Sequence, residues 1–116
     1  MQSKSGITEL LSNQNLIIFE LDNNGNVLSA DHPERCIGGK APIGVNLFDV
    51  LQDGYEKKVR QTMRLAKLNP GQCFQIQYLF TLSGETRYKY GTVEWDGNKF
   101  IFRVARRLSD GQKGVI

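Results

Sequence analysis

Three runs of alternating apolar and polar residues in the C-terminal half, separated by tight turns, constrain the fold most. In QCFQIQYLFTL, residues Phe74, Ile76 and Tyr78 alternate with polar ones, which is typical of a half-buried strand. The turns SGE and DGN separate this run from TRYKYGTVEW and then from KFIFRVARRLS. Short connections that contain glycine indicate hairpins. The sequence therefore predicts three consecutive strands joined by tight reversals.

The middle run, TRYKYGTVEW, carries Tyr88 and Tyr90 on one face. We interpret Gly91 as a β-bulge that turns Val93 and Trp95 inward beyond it, because glycine within a strand often marks a bulge. On this interpretation most aromatic residues of the three strands face the core. They are Phe74, Tyr78, Phe80, Tyr88, Tyr90, Phe100 and Phe102.

A shorter hairpin is predicted near the N-terminus, in IIFELDNNGNVLSAD. Ile17, Phe19 and Leu21 share one face of its first strand, which we predict to be buried. The DNNGN turn supplies Gly25 and several asparagines, residues that tolerate positive φ and permit a tight reversal. The run VLSA then forms a second, shorter strand.

One long helix is predicted between the two groups of strands, from Gly54 to Leu68. Asp53 is expected to cap it, with Glu56 three residues later in a capping-box arrangement. Before it, prolines and glycines leave only short turns around PERCI and LFDVL. The apolar face of the helix comprises Tyr55, Val59, Met63 and Ala66, and a basic stripe on another face comprises Lys57, Arg60, Arg64 and Lys67.

The length of 116 residues fits one domain, and 40% hydrophobic with 23% charged residues is an ordinary globular composition. The sequence contains neither a signal peptide pattern nor an apolar run long enough to span a membrane. Its two cysteines, Cys36 and Cys73, form no CxxC pair and are interpreted as reduced thiols. We therefore predict a cytoplasmic location.

This order of elements resembles a PAS domain, over residues 14–108. The quoted hairpin ELDNNGNVLSAD matches the opening of the family, IGVNLFDVLQDGYEKKVRQTM matches its middle, and LSGETRYKYGTVEW with DGNKFIFRVAR matches its closing strands. The resemblance implies an α+β fold in which one antiparallel sheet has the order 2-1-5-4-3 and helices cover one face. Residues 1–13 are then a flanking helix, and residues 109–116 a linker to a further segment.

The resemblance also implies a sensory role. In the family, a cavity between sheet and helices holds a ligand, and flanking helices pass the signal to an output domain such as a histidine kinase. Within the family the chain is similar to small PAS domains of bacterial two-component kinases related to the haem-nitric-oxide-binding-associated group.

A homodimer is the expected assembly. Ile7, Leu10 and Leu11 lie on one side of a helical segment too short to be stable alone. Contiguous apolar surface of this kind marks interfaces, and two-fold symmetry is the default for a homodimer. These three residues are the candidate dimer contacts.

No cofactor is predicted. Cys36 lies in ERCIGG, which lacks the asparagine-cysteine-arginine motif of flavin-binding light sensors. The long helix lacks the axial histidine of one type of haem-binding PAS sensor, which leaves haem ligation by His32 as the alternative. His32 and Cys36 together provide too few ligands for a zinc site.

Catalysis is not expected, because His32 is the only histidine and no nucleophile is placed beside it. A basic domain that binds nucleic acid or another polyanion is the alternative function. Residues 1–56 have a net charge of −5 (three Lys or Arg, eight Asp or Glu), and residues 57–116 of +8 (twelve and four). Single-strand recognition also needs aromatic platforms among the cations, however, and most aromatics are predicted to face the core.

Overall fold

The computed structural model describes residues 16–106, which form one five-stranded sheet with two helices. The strands are β1 (Leu16–Leu21), β2 (Val27–Ala30), β3 (Cys73–Leu82), β4 (Glu85–Trp95) and β5 (Phe100–Arg106), and the helices are α1 (Leu47–Val50) and α2 (Glu56–Leu68). Two 3₁₀ turns, Pro33–Arg35 and Ile37–Gly39, precede α1. All strand pairs are antiparallel in the order β2-β1-β5-β4-β3, so the predicted α+β class and strand order are confirmed.

The first hairpin forms because its turn satisfies its own polar groups. Gly25 has a φ of 91°, which glycine adopts without strain. The Asp22 carboxylate accepts hydrogen bonds from the backbone N–H groups of Asn24 and Asn26, each over 2.9 Å, and from the Asn26 side chain over 3.0 Å. Hydrogen bonding, first of all to Asn26, lowers the pKa of Asp22. The predicted tight reversal at this turn is confirmed.

The core lies between the sheet and α2. The apolar residues of α2, Val59, Met63 and Ala66, are buried against the inner face of the sheet, as the helical spacing predicted. The residues predicted for the core from the strands lie there too: Ile17, Ile76, Phe100 and Phe102 are buried, and Phe19 and Phe74 are half-buried. Burial of this apolar surface is the main favourable contribution to folding.

The start of α2 differs from the prediction. The helix begins at Glu56, and its N-cap residue, Tyr55, makes no capping hydrogen bond through its side chain. Gly54 has a φ of 93°, and the Tyr55 N–H donates to the Gln52 carbonyl over 3.2 Å, so a separate turn precedes the helix. The predicted capping box of Asp53 and Glu56 is therefore wrong. The left-handed Gly54 lies between the two residues, so Asp53 is not in the N-cap position of the helix.

The predicted bulge at Gly91 is also wrong. The pairing of β4 with both neighbours is continuous through this residue, with Ile76 on one side and Val104 on the other. Glycine is needed here for another reason, since a Cβ atom would lie 2.0 Å from the backbone oxygen of Arg103. Continuous alternation turns Lys89 inward with Val93.

Tyr88 and Tyr90 consequently lie on the outer face of the sheet, and their predicted core position is wrong. The Tyr88 hydroxyl donates to the Gln77 side chain over 2.7 Å, across the pairing of β4 with β3. An uninterrupted strand keeps its two-residue period, so residues 88 and 93 cannot share a face.

Within residues 16–106, no helix is both long and apolar enough to cross a membrane. Ile7, Leu10 and Leu11 lie outside the described residues, as do the predicted flanking helix and the linker.

Candidate ligand-binding site

An apolar cavity of about 60 Å³ lies between the inner face of the sheet and the segment of residues 33–50. Its walls are Phe19, Leu21, Val27, Cys36, Ile37, Pro42, Val45, Leu47, Val50, Tyr78, Phe80, Leu82, Arg87, Lys89 and Phe102. A cavity of this volume has room for a few water molecules or a small chemical group. Pockets that combine apolar walls with a few polar groups are typical of ligand sites.

The wall formed by residues 44–47 is attached to the first hairpin by backbone hydrogen bonds. The Val27 N–H donates to the Val45 carbonyl over 2.9 Å, and the Gly44 N–H donates to the Val27 carbonyl over 2.8 Å. The Leu47 N–H donates to the Gly25 carbonyl over 2.9 Å. The position of this wall is therefore coupled to that of the hairpin.

Asn46 reinforces the same connection with its side chain. Its Nδ2 donates to the Asn24 carbonyl and to Asn26 Oδ1, each over 2.9 Å. Its Oδ1 accepts from the Phe48 N–H over 2.9 Å and so caps α1. Since Val45 and Leu47 flank Asn46 and line the cavity, this asparagine joins the hairpin turn directly to the cavity wall.

Two polar side chains line the cavity from opposite positions on neighbouring strands. Tyr78 of β3 pairs with Lys89 of β4, and the two residues are 4% and 2% exposed. Burial lowers the pKa of Lys89 to about 8, with Arg87 adding to the effect. Burial also raises the pKa of Tyr78, so its hydroxyl stays protonated at neutral pH.

The second cation of the cavity wall, Arg87, is held by protein partners. Its Nε lies 2.6 Å from a carboxylate oxygen of Glu85, and one terminal nitrogen donates to the Arg35 carbonyl over 3.0 Å. Its charge is therefore largely balanced by Glu85, whereas Lys89 is the more deeply buried of the two.

Of the residues weighed for chemistry in the sequence, the structure places Cys36 at the cavity and His32 elsewhere. Cys36 is buried, its Sγ lies 3.7 Å from the His32 carbonyl oxygen, and burial raises the pKa of its thiol. His32 does not line the cavity, and its Nδ1 lies 3.0 Å from a carboxylate oxygen of Glu34. Between residues 16 and 106, no three His, Cys, Asp or Glu side chains form a group that could hold a metal ion.

The sequence prediction missed Lys89, although a signal for it was present. Lys89 lies four residues before Val93 and six before Trp95, so an uninterrupted strand places all three on one face. The predicted bulge at Gly91 would have placed Lys89 on the opposite face from Val93 and Trp95, so Lys89 was not recognised as an inward-facing residue.

A second groove, of about 660 Å³, lies between α2 and strands β3 and β4. Its walls are Lys58, Val59, Gln61, Thr62, Gln75, Ile76, Gln77, Tyr90, Gly91 and Thr92. Amide and hydroxyl groups dominate these walls, and Lys58 is exposed to solvent. The groove therefore lacks the buried polar groups that distinguish the apolar cavity.

Part of the basic stripe on α2 is used within the chain. Arg60 lies 2.7 Å from the Glu56 carboxylate and stacks over the Phe48 ring at 3.8 Å. Lys67 donates to the Asn23 side chain over 2.5 Å and lies 5.0 Å from the centre of the Trp95 ring. Such contacts between cations and aromatic rings are favourable by about 0.5–1 kcal/mol at exposed sites.

No protein-family model and no curated protein matches the sequence. Among solved structures, the chain is similar to the PAS domain of an HTR-like protein from Haloarcula marismortui. The two share 14% sequence identity with a TM-score of 0.61, over 91% of this chain and 98% of that one.

It is also similar to the PAS domain of the Cronobacter turicensis quorum-sensing receptor RpfR, solved in complex with BDSF. Here the identity is 16% and the TM-score 0.59, over 83% of this chain and 97% of that one. Both similarities cover nearly the whole of the compared domains. Together with the strand order β2-β1-β5-β4-β3, they establish that the chain has the fold of a PAS domain.

Proposed function

We propose that the chain is a sensory PAS module that receives its signal as a small molecule bound in the apolar cavity. The cavity is the observation that carries this proposal. It lies against the inner face of the sheet, and apolar side chains form most of its wall. Its connection to the hairpin through Asn46 supports the proposal, because a ligand that displaces Val45 or Leu47 would also move the hairpin.

The proposal extends to the assembly and the parent protein. The module forms a homodimer through Ile7, Leu10 and Leu11 and acts in the cytoplasm. It transmits its signal to an output domain, most simply a histidine kinase of a two-component system. The module itself has no catalytic role in this proposal. A contact surface on the outer face of the sheet is supported by apolar and aromatic side chains that remain partly exposed there. They are Ile18, Tyr90 and Ile101.

The alternative, binding of nucleic acid or another polyanion, gains little from the arrangement of side chains. Arg60 and Lys67 of the basic stripe are engaged by Glu56 and Asn23 within the chain. Although Tyr88 and Tyr90 lie on the outer face, the neighbouring Arg103 is 2.9 Å from the Glu94 carboxylate. The contacts of Arg60, Lys67 and Arg103 thus give little support to a single-strand site, which needs aromatic platforms among available cations.

The proposal is tested by native mass spectrometry of the full chain incubated with an extract of small molecules from cells. A bound mass should appear with the unchanged chain and disappear in Val45→Phe, whose larger side chain fills the cavity. Leu65→Phe, at an exposed position of α2, is the matched control and should keep the bound mass. A mass that persists in Val45→Phe would contradict the cavity as the site.

A further inference from the structure

Lys89 and Tyr78 are two buried polar groups for which residues 16–106 supply no partner. Within residues 16–106, no hydrogen-bond acceptor or carboxylate partners the Lys89 ammonium group, and no group partners the Tyr78 hydroxyl. Buried polar groups nearly always have partners, and each exception calls for an explanation. An unpartnered buried charge, such as that of Lys89, costs more free energy than an unpartnered neutral group, such as the Tyr78 hydroxyl.

Both groups line the same cavity. Tyr78 and Lys89 occupy directly opposed positions in the pairing of β3 with β4, so their Cβ atoms are neighbours on the inner face. The Tyr78 ring packs against Phe80 and Phe102, at centroid distances of 6.2 and 6.3 Å. The Tyr78 ring is therefore held among apolar side chains of the inner face.

Among residues 16–106, the charged and titratable groups around Lys89 leave its charge unbalanced, although Glu85 pairs with the neighbouring Arg87. Arg87 faces it from the same strand and Arg106 from β5, while Cys36 faces it from the 3₁₀ turns and Tyr78 from β3. Of these, Cys36 and Tyr78 are neutral at neutral pH, because burial raises the pKa of each. Of the residues that the structure describes, none with a carboxylate lines the cavity.

We propose that the cavity binds an amphipathic anion, a monocarboxylic acid with a short apolar chain, whose carboxylate accepts hydrogen bonds from Lys89 and Tyr78. A carboxylate has two acceptor oxygens for these two donors, and its single charge matches that of Lys89. The apolar chain lies against residues such as Leu21 and Leu47. This inference rests on the proposed function, because it names the class of ligand for the same cavity.

The size of the cavity sets the expected chain length. A volume of about 60 Å³ accommodates a carboxylate with a few carbon atoms, and longer chains would have to displace the segment of residues 33–50. Butyrate and hexanoate are therefore expected to bind more tightly than decanoate.

The test is calorimetric titration of the full chain with hexanoate and with hexanol, the matched neutral ligand. At neutral pH the unchanged chain should prefer hexanoate by at least about tenfold, as one charge-assisted hydrogen bond predicts. Lys89→Met should abolish this preference while it retains binding of hexanol, and Tyr78→Phe should reduce it severalfold. Lys57→Met, which removes an exposed lysine of α2, should bind both ligands as the unchanged chain does.

The pH dependence provides a second readout. Hexanoate binding should weaken above the Lys89 pKa of about 8, whereas hexanol binding should not weaken with it. Bound carboxylate should also raise the pKa of this lysine, so protons are taken up on binding near that pH.

Three outcomes would overturn the inference, and the Val45→Phe variant separates its failure from that of the proposed function. Equal binding of hexanoate and hexanol, or an unchanged preference in Lys89→Met, refutes anion recognition but leaves the cavity as a ligand site. Failure of both ligands to bind also refutes it. If, in addition, Val45→Phe leaves the masses bound from cell extract unchanged, the proposed function fails as well.

Discussion

Asn46 donates a hydrogen bond to Asn26 across 2.9 Å and thereby joins the wall of the cavity to the first hairpin. The same side chain donates to the Asn24 carbonyl and accepts from the Phe48 N–H. Three hydrogen bonds from one side chain therefore hold the hairpin, the cavity wall and the first turn of α1 together. The adjacent Gly25 leaves space for the Phe48 ring, which a Cβ atom would approach to 2.7 Å.

Asn46→Ala should lower the free energy of unfolding by about 1–3 kcal/mol, because it removes a helix cap and leaves the Asn26 side chain without a donor. Urea denaturation followed by circular dichroism would measure the change. Asn98→Ala is the control, since the Asn98 side chain lies exposed in the β4–β5 turn and only its backbone N–H takes part in that turn. An equal effect of both substitutions would contradict the role of Asn46.

Asp22→Ala should destabilise the chain at neutral pH by about 1–2 kcal/mol, because the carboxylate accepts three hydrogen bonds in the turn. The folded pKa of Asp22 is lowered, so its stabilisation is fully present above the unfolded value near 3.8 and is lost as the pH falls through the folded value. The difference between the two proteins should therefore shrink in acid.

Denaturation curves at neutral pH and in acid check this expectation. Asp53→Ala is the matched control, because Asp53 is exposed and does not cap α2. It should leave stability within about 0.5 kcal/mol of the unchanged chain. A large loss in Asp53→Ala would restore the capping box that the structure contradicts.

Gly91→Ala should lower stability by at least about 3 kcal/mol or prevent folding, because the added methyl group would overlap the backbone of β5 at Arg103. Backbone atoms on a central strand pair have little room to move away. Thr92→Ala, at the next position of the same strand, should cost about 1 kcal/mol or less. Comparable thermal unfolding of the two variants would refute the close approach at Gly91.

Lys89→Met should stabilise the unliganded chain by about 1 kcal/mol or more, because it replaces a buried cation, for which residues 16–106 supply no partner, with an apolar side chain. Burial lowers the folded pKa of Lys89 to about 8, so the charge penalises folding below this value. As the pH rises from about 8 towards the unfolded pKa of about 10.4, the folded chain has lost its proton first and the penalty disappears.

The advantage of Lys89→Met should therefore decline over this alkaline range. Chemical denaturation of both proteins at several pH values would measure it. Because Cys36 and Tyr78 are common to both proteins, the difference between the curves isolates the lysine. A less stable Lys89→Met variant at neutral pH would indicate a partner for Lys89 that balances its charge.

Replacing Leu10 and Leu11 together with aspartate should convert the proposed homodimer into a monomer, since charged side chains are disfavoured at the core of an interface. Sedimentation velocity over a range of concentrations would compare the variant with the unchanged chain. Lys4→Asp, a polar substitution in the same segment, is the control and should sediment as the unchanged chain does. If the unchanged chain is monomeric at high concentration, the dimer is refuted.

The local elements of this protein follow from its sequence. The DNNGN turn predicts the first hairpin because Gly25 and its asparagine neighbours tolerate the required backbone. The spacing of Val59, Met63 and Ala66 predicts both the helix and its buried face. The order of these motifs resembles that of a PAS domain, and the strand order, which the structure shows, was what this resemblance implied.

Only the tertiary structure decided which side of β4 faces the core and where a cavity forms. Tyr88 and Tyr90 favour an inward face by their chemistry, but pairing with Ile76 and Val104 keeps the strand regular through Gly91 and turns Lys89 inward instead. This outcome depends on the register between residues far apart in the chain, which local periodicity does not contain. The cavity likewise depends on how residues 33–50 pack across the sheet, so the sequence alone did not reveal that Tyr78 and Lys89 meet at its wall.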